Sequence, residues 1–301
     1  MKTTSSSVSR AERYNALSLP RPIMASLALF LIVVALRSIE VFVLRLDVLP
    51  DKTIVSRVLG FLLVLGYLWA LQKPVSSIGL HARNFDKAFL IGGLSLVILF
   101  VALYGVQFYL LSTAGKTPRL VFAAIDNETG AMGGLFFTLF YLFGQIVNAF
   151  MEESIFRGMM LPHFMQRFSF WKANALQAFL FGLAHLVWPL SSWVNGQATS
   201  GEAVAEAAFL LVATTVGGLV FGYLYYRTGS LWTAWFAHLI DNITFLFFHI
   251  QIVSSLNAET EIIMLSRIGF LALVILAWTV AKRSNLPTLK PWGANYIVPH
   301  N

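Results

Sequence analysis

Residues 134–165 read GLFFTLFYLFGQIVNAFMEESIFRGMMLPHFM, an apolar run broken by two adjacent carboxylates, Glu152 and Glu153, and by Arg157. At 1.5 Å per residue a helix of this length reaches about 48 Å, well beyond a hydrocarbon core of roughly 30 Å. The run is therefore expected to cross a bilayer and continue past its cytoplasmic face. The projecting piece is expected to be amphipathic, carrying Arg157, Gly158, Pro162, His163 and Arg167, with a bend at Pro162. Charges in hydrocarbon cost at least a few kcal/mol each and commonly mark a cavity or a site. The carboxylate pair is thus the first candidate for function.

The rest of the chain is of the same kind. Of 301 residues, 57% are hydrophobic and 12% charged. Eight apolar runs can be drawn, at about residues 23–44, 54–71, 85–112, 134–165, 171–188, 203–226, 231–250 and 263–281. Backbone groups in lipid must be satisfied within each segment, and continuous apolar runs do not fit the alternation of a barrel. The expected fold class is all-α, a polytopic membrane protein of about eight transmembrane helices. A single membrane domain over residues 23–285, with its core motifs in 134–242, is expected between polar tails at 1–22 and 286–301. The first run has no small-residue cleavage site and is read as an uncleaved membrane helix.

The net charge of +7 does not indicate nucleic acid, because the basic residues are spread through the loops. One set of loops carries Lys2, Arg10, Arg13, Arg21, Lys73, Arg83, Lys87, Arg157, Arg167, Lys172, Arg227, Lys282, Arg283 and Lys290, the other Arg45, Lys52, Lys116 and Arg119. This bias places both termini in the cytoplasm and the 189–202 loop outside. The absence of cysteine excludes disulfides, thiolate metal ligands and cysteine nucleophiles.

Polar residues of the later runs fall at one depth. Counted from a turn near Ser169, Glu152 lies seventeen residues before and His185 sixteen after, each about 25 Å into an antiparallel hairpin. From the turn at Thr228-Gly229-Ser230, His238 and Asn242 lie about 12 to 18 Å in. Gln145, Asn148 and Glu152 form a polar stripe, and His238 shares a helix face with Asn242, as Phe181 does with His185. Glu153 points about 100° away from Glu152 and has Arg157 at the favourable i,i+4 position. One carboxylate is expected to be free for chemistry, the other paired for structure. Arg37 and Glu40 are read as a pair or as snorkelling side chains, His249 as an interhelical hydrogen bond, and Gly218 with Gly222 as a close helix contact.

A carboxylate and an imidazole on one water make it a nucleophile, and a second imidazole with a carboxamide can stabilise the oxyanion of an attacked amide. That set reads as a hydrolase without a cofactor. Zinc held by Glu152, His185 and His238 is the alternative. A proton-coupled transporter or a scaffold that keeps the buried glutamates as structure is the non-enzymatic alternative.

The three motifs Glu152-Glu153-Ser-Ile-Phe-Arg157, Phe181-Gly-Leu-Ala-His185 and His238-Leu-Ile-Asp-Asn242 resemble those of the intramembrane CAAX-protease and bacteriocin-processing family. The resemblance covers residues 134–242. It implies an endopeptidase with a cavity open to the cytoplasm, acting on a membrane-associated protein or peptide. By motif, Glu152 would be the water-activating base aided by His185, His238 and Asn242 would form the oxyanion site, and Glu153 and Arg157 would organise it. The family has been described both as metalloproteases and as glutamate-type proteases, so the resemblance leaves zinc open. Without an organelle signal, the chain is expected in a prokaryotic plasma membrane, where prenylated substrates are not expected.

Overall fold

In the computed structural model, residues 22–44, 53–125, 132–252, 255–257 and 260–292 are described, with backbone alone for 255–257 and 260–268. The N-terminal tail with Lys2, Arg10, Arg13 and Arg21, the loop residues Arg45 and Lys52, and residues 293–301 lie outside the described residues. Each of the eight apolar runs is a helix: α1 Pro22–Leu44, α2 Ile54–Ala70, α3 Phe85–Thr113, α4 Leu135–Phe164, α5 Phe170–Val194, α6 Ser200–Thr228, α7 Leu231–Phe247 and α8 Thr260–Arg283. Among the described residues, α1, α3, α4, α5 and α6 are long and apolar enough to cross a membrane, and α2 is a shorter apolar helix. The protein is an all-α polytopic membrane protein. Many large apolar side chains point outwards, as Leu31, Val101, Phe136 and Ile275 do, while others such as Leu68, Phe164 and Phe221 form the core together with buried polar groups.

Local chemistry sets the ends of these helices. At α6, Thr199 and Glu202 form a reciprocal capping box: the Glu202 amide donates to Thr199 Oγ1 at 3.3 Å and the Thr199 amide to Glu202 Oε2 at 2.8 Å. The helix closes at Gly229, whose φ of 62° suits a residue without Cβ. Close approaches also need glycine. A Cβ on Gly92 in α3 would fall on the carbonyl oxygen of Thr233 in α7, and one on Gly222 in α6 on the amide oxygen of Asn174 in α5. The expected tight contact at Gly218 and Gly222 is present, since a Cβ at Gly218 would meet Ala178 at 3.0 Å.

The structure corrects several expectations. The stretch after Glu153 is no amphipathic extension: residues 154–164 are buried throughout, Arg157 and His163 included. Arg157 therefore drops out of the basic loops. His163 lies 2.6 Å from the Ser26 hydroxyl of α1. The helix is π-helical over Ser154–Met160 and α-helical again over Leu161–Phe164. Pro162 has no N–H to close an α-helical bond, and the ladder before it widens. The predicted 189–202 loop is mostly helical, because α5 is interrupted only at His185 and Leu186 and resumes over Val187–Val194. Finally, α7 stops at Phe247 rather than Ile250, and the alternating Phe248-His-Ile-Gln-Ile252 becomes a strand. β2, Phe248–Ile252, pairs antiparallel with β1, Pro118–Phe122, in the register Leu120 to Ile250, and with β3, Ser255–Asn257. His249 makes a structural hydrogen bond, to the Ala123 carbonyl at 3.1 Å, but from strand β2 and not between helices as expected.

The bundle has two distinct ends. At one, the Leu231 amide donates to Gly79, the Leu289 amide to Tyr226 and the Trp292 amide to Pro162. This end gathers Lys73, Arg83, Arg167, Arg227, Lys282 and Arg283. The other end holds the sheet, the start of α2 and the α5–α6 connection, with Lys116 and Arg119.

The glycine contacts are testable with a matched pair in α3. Gly92→Ala forces a Cβ against backbone and is expected to destabilise by about 1–3 kcal/mol, read as a lower unfolding midpoint in detergent. Gly105→Ala, with open space around it, is expected to leave the midpoint unchanged or raise it.

Candidate active site

The motif residues are carried by three helices. Glu152, Glu153 and Arg157 sit where α4 passes from α- to π-helix, Phe181 and His185 at the interruption of α5, and His238 and Asn242 on α7. Glu152, His185, His238 and Asn242 converge on one cavity of about 900 Å³, as their common depth predicts. Such a volume is in the range of ligand sites.

Glu153 and Arg157 stand behind this cavity. Arg157 Nη1 donates to Glu153 Oε1 at 2.7 Å, with both side chains fully buried. The guanidinium is held between aromatic faces, 4.4 Å from the Phe181 ring centroid and 5.4 Å from that of Phe221. Cation–π attraction of this kind strengthens as the site is desolvated. The same two rings fix His238: Phe221 stacks on the imidazole at 5.4 Å and Phe181 meets it edge-on at 5.7 Å. Phe181 also packs edge-on against His185 at 4.7 Å. The first residue of the Phe-x-x-x-His motif thus positions one arginine and both histidines.

His238 bridges the two carboxylates. Its Nδ1 lies 2.8 Å from Glu153 Oε1, and its Nε2 lies 3.5 Å from Glu152 Oε2. His185 donates from Nδ1 to the Phe181 carbonyl at 2.8 Å, which leaves Nε2 as the acceptor nitrogen. It lines the same cavity as Glu152, Arg37 and His238. Asn242 donates from Nδ2 to Gln145 Oε1 at 3.3 Å, so the polar stripe of α4 ends on the α7 carboxamide.

One expectation fails here. Glu152 is not a free carboxylate, because Arg37 of α1 donates from Nη1 to its Oε1 at 3.0 Å and from Nη2 to Asn148 Oδ1 at 3.0 Å. Arg37 and Glu40 neither pair with each other nor snorkel. Glu40 accepts the Val55 and Ser56 amides at the start of α2, at 2.8 and 2.9 Å. Arg37 was visible to the same rule that singles out the glutamates, as a buried charge fifteen residues into an apolar helix. Phe221 gave no signal, since aromatic side chains are abundant throughout.

The cavity runs from Glu152 and His185 towards Glu40, Arg57, Asn195 and Gln197. These belong to the end opposite the basic loops.

An ionisable, charge-balanced cluster facing a cavity inside a helical membrane bundle defines a polytopic membrane protein with an internal site. Residues 134–244 match the family described as Type II CAAX prenyl endopeptidase Rce1-like, and this segment, which carries the three motifs, is similar to that family. No curated protein and no solved structure matches the chain.

Removing Arg157 would leave Glu153 buried without its cation, a change that typically costs 3–5 kcal/mol. Arg157→Leu is expected to abolish folded yield, whereas Arg157→Lys, which keeps the charge but loses the planar stacking, is expected to fold with a lowered melting midpoint.

Proposed function

We propose that the protein cleaves a peptide bond of a membrane-associated protein or peptide, using a water activated by Glu152 and His185. The observation that carries this reading is the state of Glu152. One of its oxygens is engaged by Arg37, while Oε2, buried at the cavity wall, has no hydrogen-bond partner among the described residues. A buried acceptor of this kind calls for a donor, and a water between Oε2 and the His185 acceptor nitrogen supplies it. Glu152 takes the proton as the water oxygen attacks the carbonyl carbon, and returns it to the leaving amine. Negative charge on the carbonyl oxygen is met by His238, when protonated at Nε2, and by the second amide hydrogen of Asn242. Glu153 holds His238 in place, and Arg157 balances Glu153.

Zinc fits this donor set poorly. Among the described residues no three His, Asp or Glu side chains are placed to share one ion. The donors are also occupied elsewhere, Glu152 by Arg37 and His238 by Glu153. The reading is therefore of a glutamate-type enzyme.

The excess of Lys and Arg on the loops opposite the cavity favours a mouth on the non-cytoplasmic face, with the basic end in the cytoplasm. Single cysteines introduced into this cysteine-free chain at Gln197 and at Ser284 test the arrangement. An impermeant thiol reagent applied to intact cells is expected to label the first and spare the second. The opposite pattern would place the mouth in the cytoplasm.

For the chemistry, purified protein and a library of membrane-anchored peptides suffice. Glu152→Gln and His185→Ala are expected to lower kcat at least about 100-fold while the protein stays folded, and Asn242→Ala by about 10²- to 10³-fold as for the loss of an oxyanion donor. A zinc chelator is expected to leave the wild-type rate unchanged. Cleavage by Glu152→Gln at the wild-type rate would remove Glu152 as the base.

A further inference from the structure

We propose that Arg37, on a helix outside the segment that carries the family motifs, is a positioning residue for the reaction: it pins one oxygen of Glu152 and so presents the other to the water. The inference rests on Glu152 as the base, and it adds a residue that none of the three motifs contains.

Three features of the geometry support it. First, the guanidinium is used as a fork. Nη1 binds Glu152 Oε1 and Nη2 binds Asn148 Oδ1, both at 3.0 Å. These two acceptors are four residues apart on one face of α4, so the fork fixes the carboxylate against its own helix. A point-like ammonium cannot make both bonds in the same geometry. Secondly, the depth of Arg37 is itself fixed. One turn further along α1, Glu40 spends both carboxylate oxygens on the first free amides of α2, those of Val55 and Ser56. A carboxylate there meets the positive end of the helix. Thirdly, the space beside Arg37 is apolar and too small to receive its side chain. On its far side lies a slot of about 20 Å³, lined by Phe30, Val33, Val34, Met151, Ile155 and Phe156. Arg37 and Glu152 line both this slot and the large cavity, so their ion pair forms the wall between them.

With Oε1 held, Oε2 faces the side where His238 Nε2 stands at 3.5 Å and where His185 shares the cavity wall. Partial rotation of the carboxylate about its terminal bond would turn the lone pairs off the water. Arg37 prevents that rotation. Its effect should appear in turnover and not in substrate binding, because a misplaced base costs on the order of 100-fold in rate without touching the substrate.

The test uses the full-length protein in nanodiscs and a membrane-anchored fluorogenic peptide that the wild type cleaves. Glu152→Gln sets the background rate; cleavage by that variant at the wild-type rate would overturn the base reading and this inference with it. Given an inactive Glu152→Gln, Arg37→Gln is expected to lower kcat by about 30- to 100-fold with KM within about threefold. Arg37→Lys, the variant that keeps a cation beside Glu152 and so protects the fold, is expected to recover only part of that loss. Free guanidinium, but not ammonium, is expected to raise the rate of Arg37→Ala. Two results would overturn the inference while leaving Glu152 as the base. One is a kcat in Arg37→Lys and Arg37→Gln equal to or above wild type, the latter meaning that Arg37 is a latch on the carboxylate. The other is a loss in Arg37→Gln matched by a fallen melting midpoint, with full recovery in Arg37→Lys and no response to guanidinium, which would mark a purely structural ion pair.

Discussion

The constraint on which this molecule turns is the burial of a cluster of charges, Arg37, Glu152, Glu153 and Arg157, in a chain otherwise built for lipid. Arg37, Glu152, Glu153 and Arg157 are each almost fully buried, and their formal charges sum to zero. In a medium of low dielectric, any one of them without its partner would cost several kcal/mol, whereas the balanced set costs far less. Two bridges of 3.0 and 2.7 Å supply the balance, and His238 joins them by lying between the two carboxylates. Chemistry and stability thus draw on the same atoms. Of the atoms without a hydrogen-bond partner in this cluster, Glu152 Oε2 belongs to the carboxylate that lines the cavity.

Much of the surrounding structure serves to hold this cluster. The aromatic clamp of Phe181 and Phe221 gives Arg157 two faces in place of water, and it aligns His238 by the same contacts. Gly218 leaves room for α6 to approach, since a Cβ there would come within 3.3 Å of the Arg157 guanidinium. The interruption of α5 at His185 turns the helix just where its imidazole meets the cavity. The π-helical turn begins directly after Glu153, and a local change of helical pitch of this kind is frequent at functional sites.

The helices were legible in the sequence because long apolar runs have few alternatives in lipid, and all eight are present near their expected bounds. The meeting of Glu152, His185, His238 and Asn242 was legible too, because rise per residue converts loop positions into depth. What escaped has physical reasons. Depth counting treats a charged residue after a membrane run as an exit to water, so Arg157 was placed in a loop although it is paired inside the core. The three-stranded sheet depends on contacts between Pro118–Phe122 and Phe248–Ile252, over a hundred residues apart, which local pattern cannot reveal. Arg37 stands out as a charge, but its partner Glu152 lies on another helix, and local spacing pairs residues only within one. Applying the depth count to α1 puts Arg37 about 22 Å from Pro22 and Glu152 about 18 Å from Phe164 at the same end, which brings the two together.

The central claim is that a water held by Glu152, and not the carboxylate itself, attacks the substrate. A single-turnover cleavage in heavy-oxygen water, followed by mass spectrometry of both the peptide product and the enzyme, tests it most directly. The account predicts label in the new carboxyl terminus of the product, none in Glu152, and no product from Glu152→Gln. Label in Glu152 would show attack by the carboxylate through a covalent intermediate and would contradict the account.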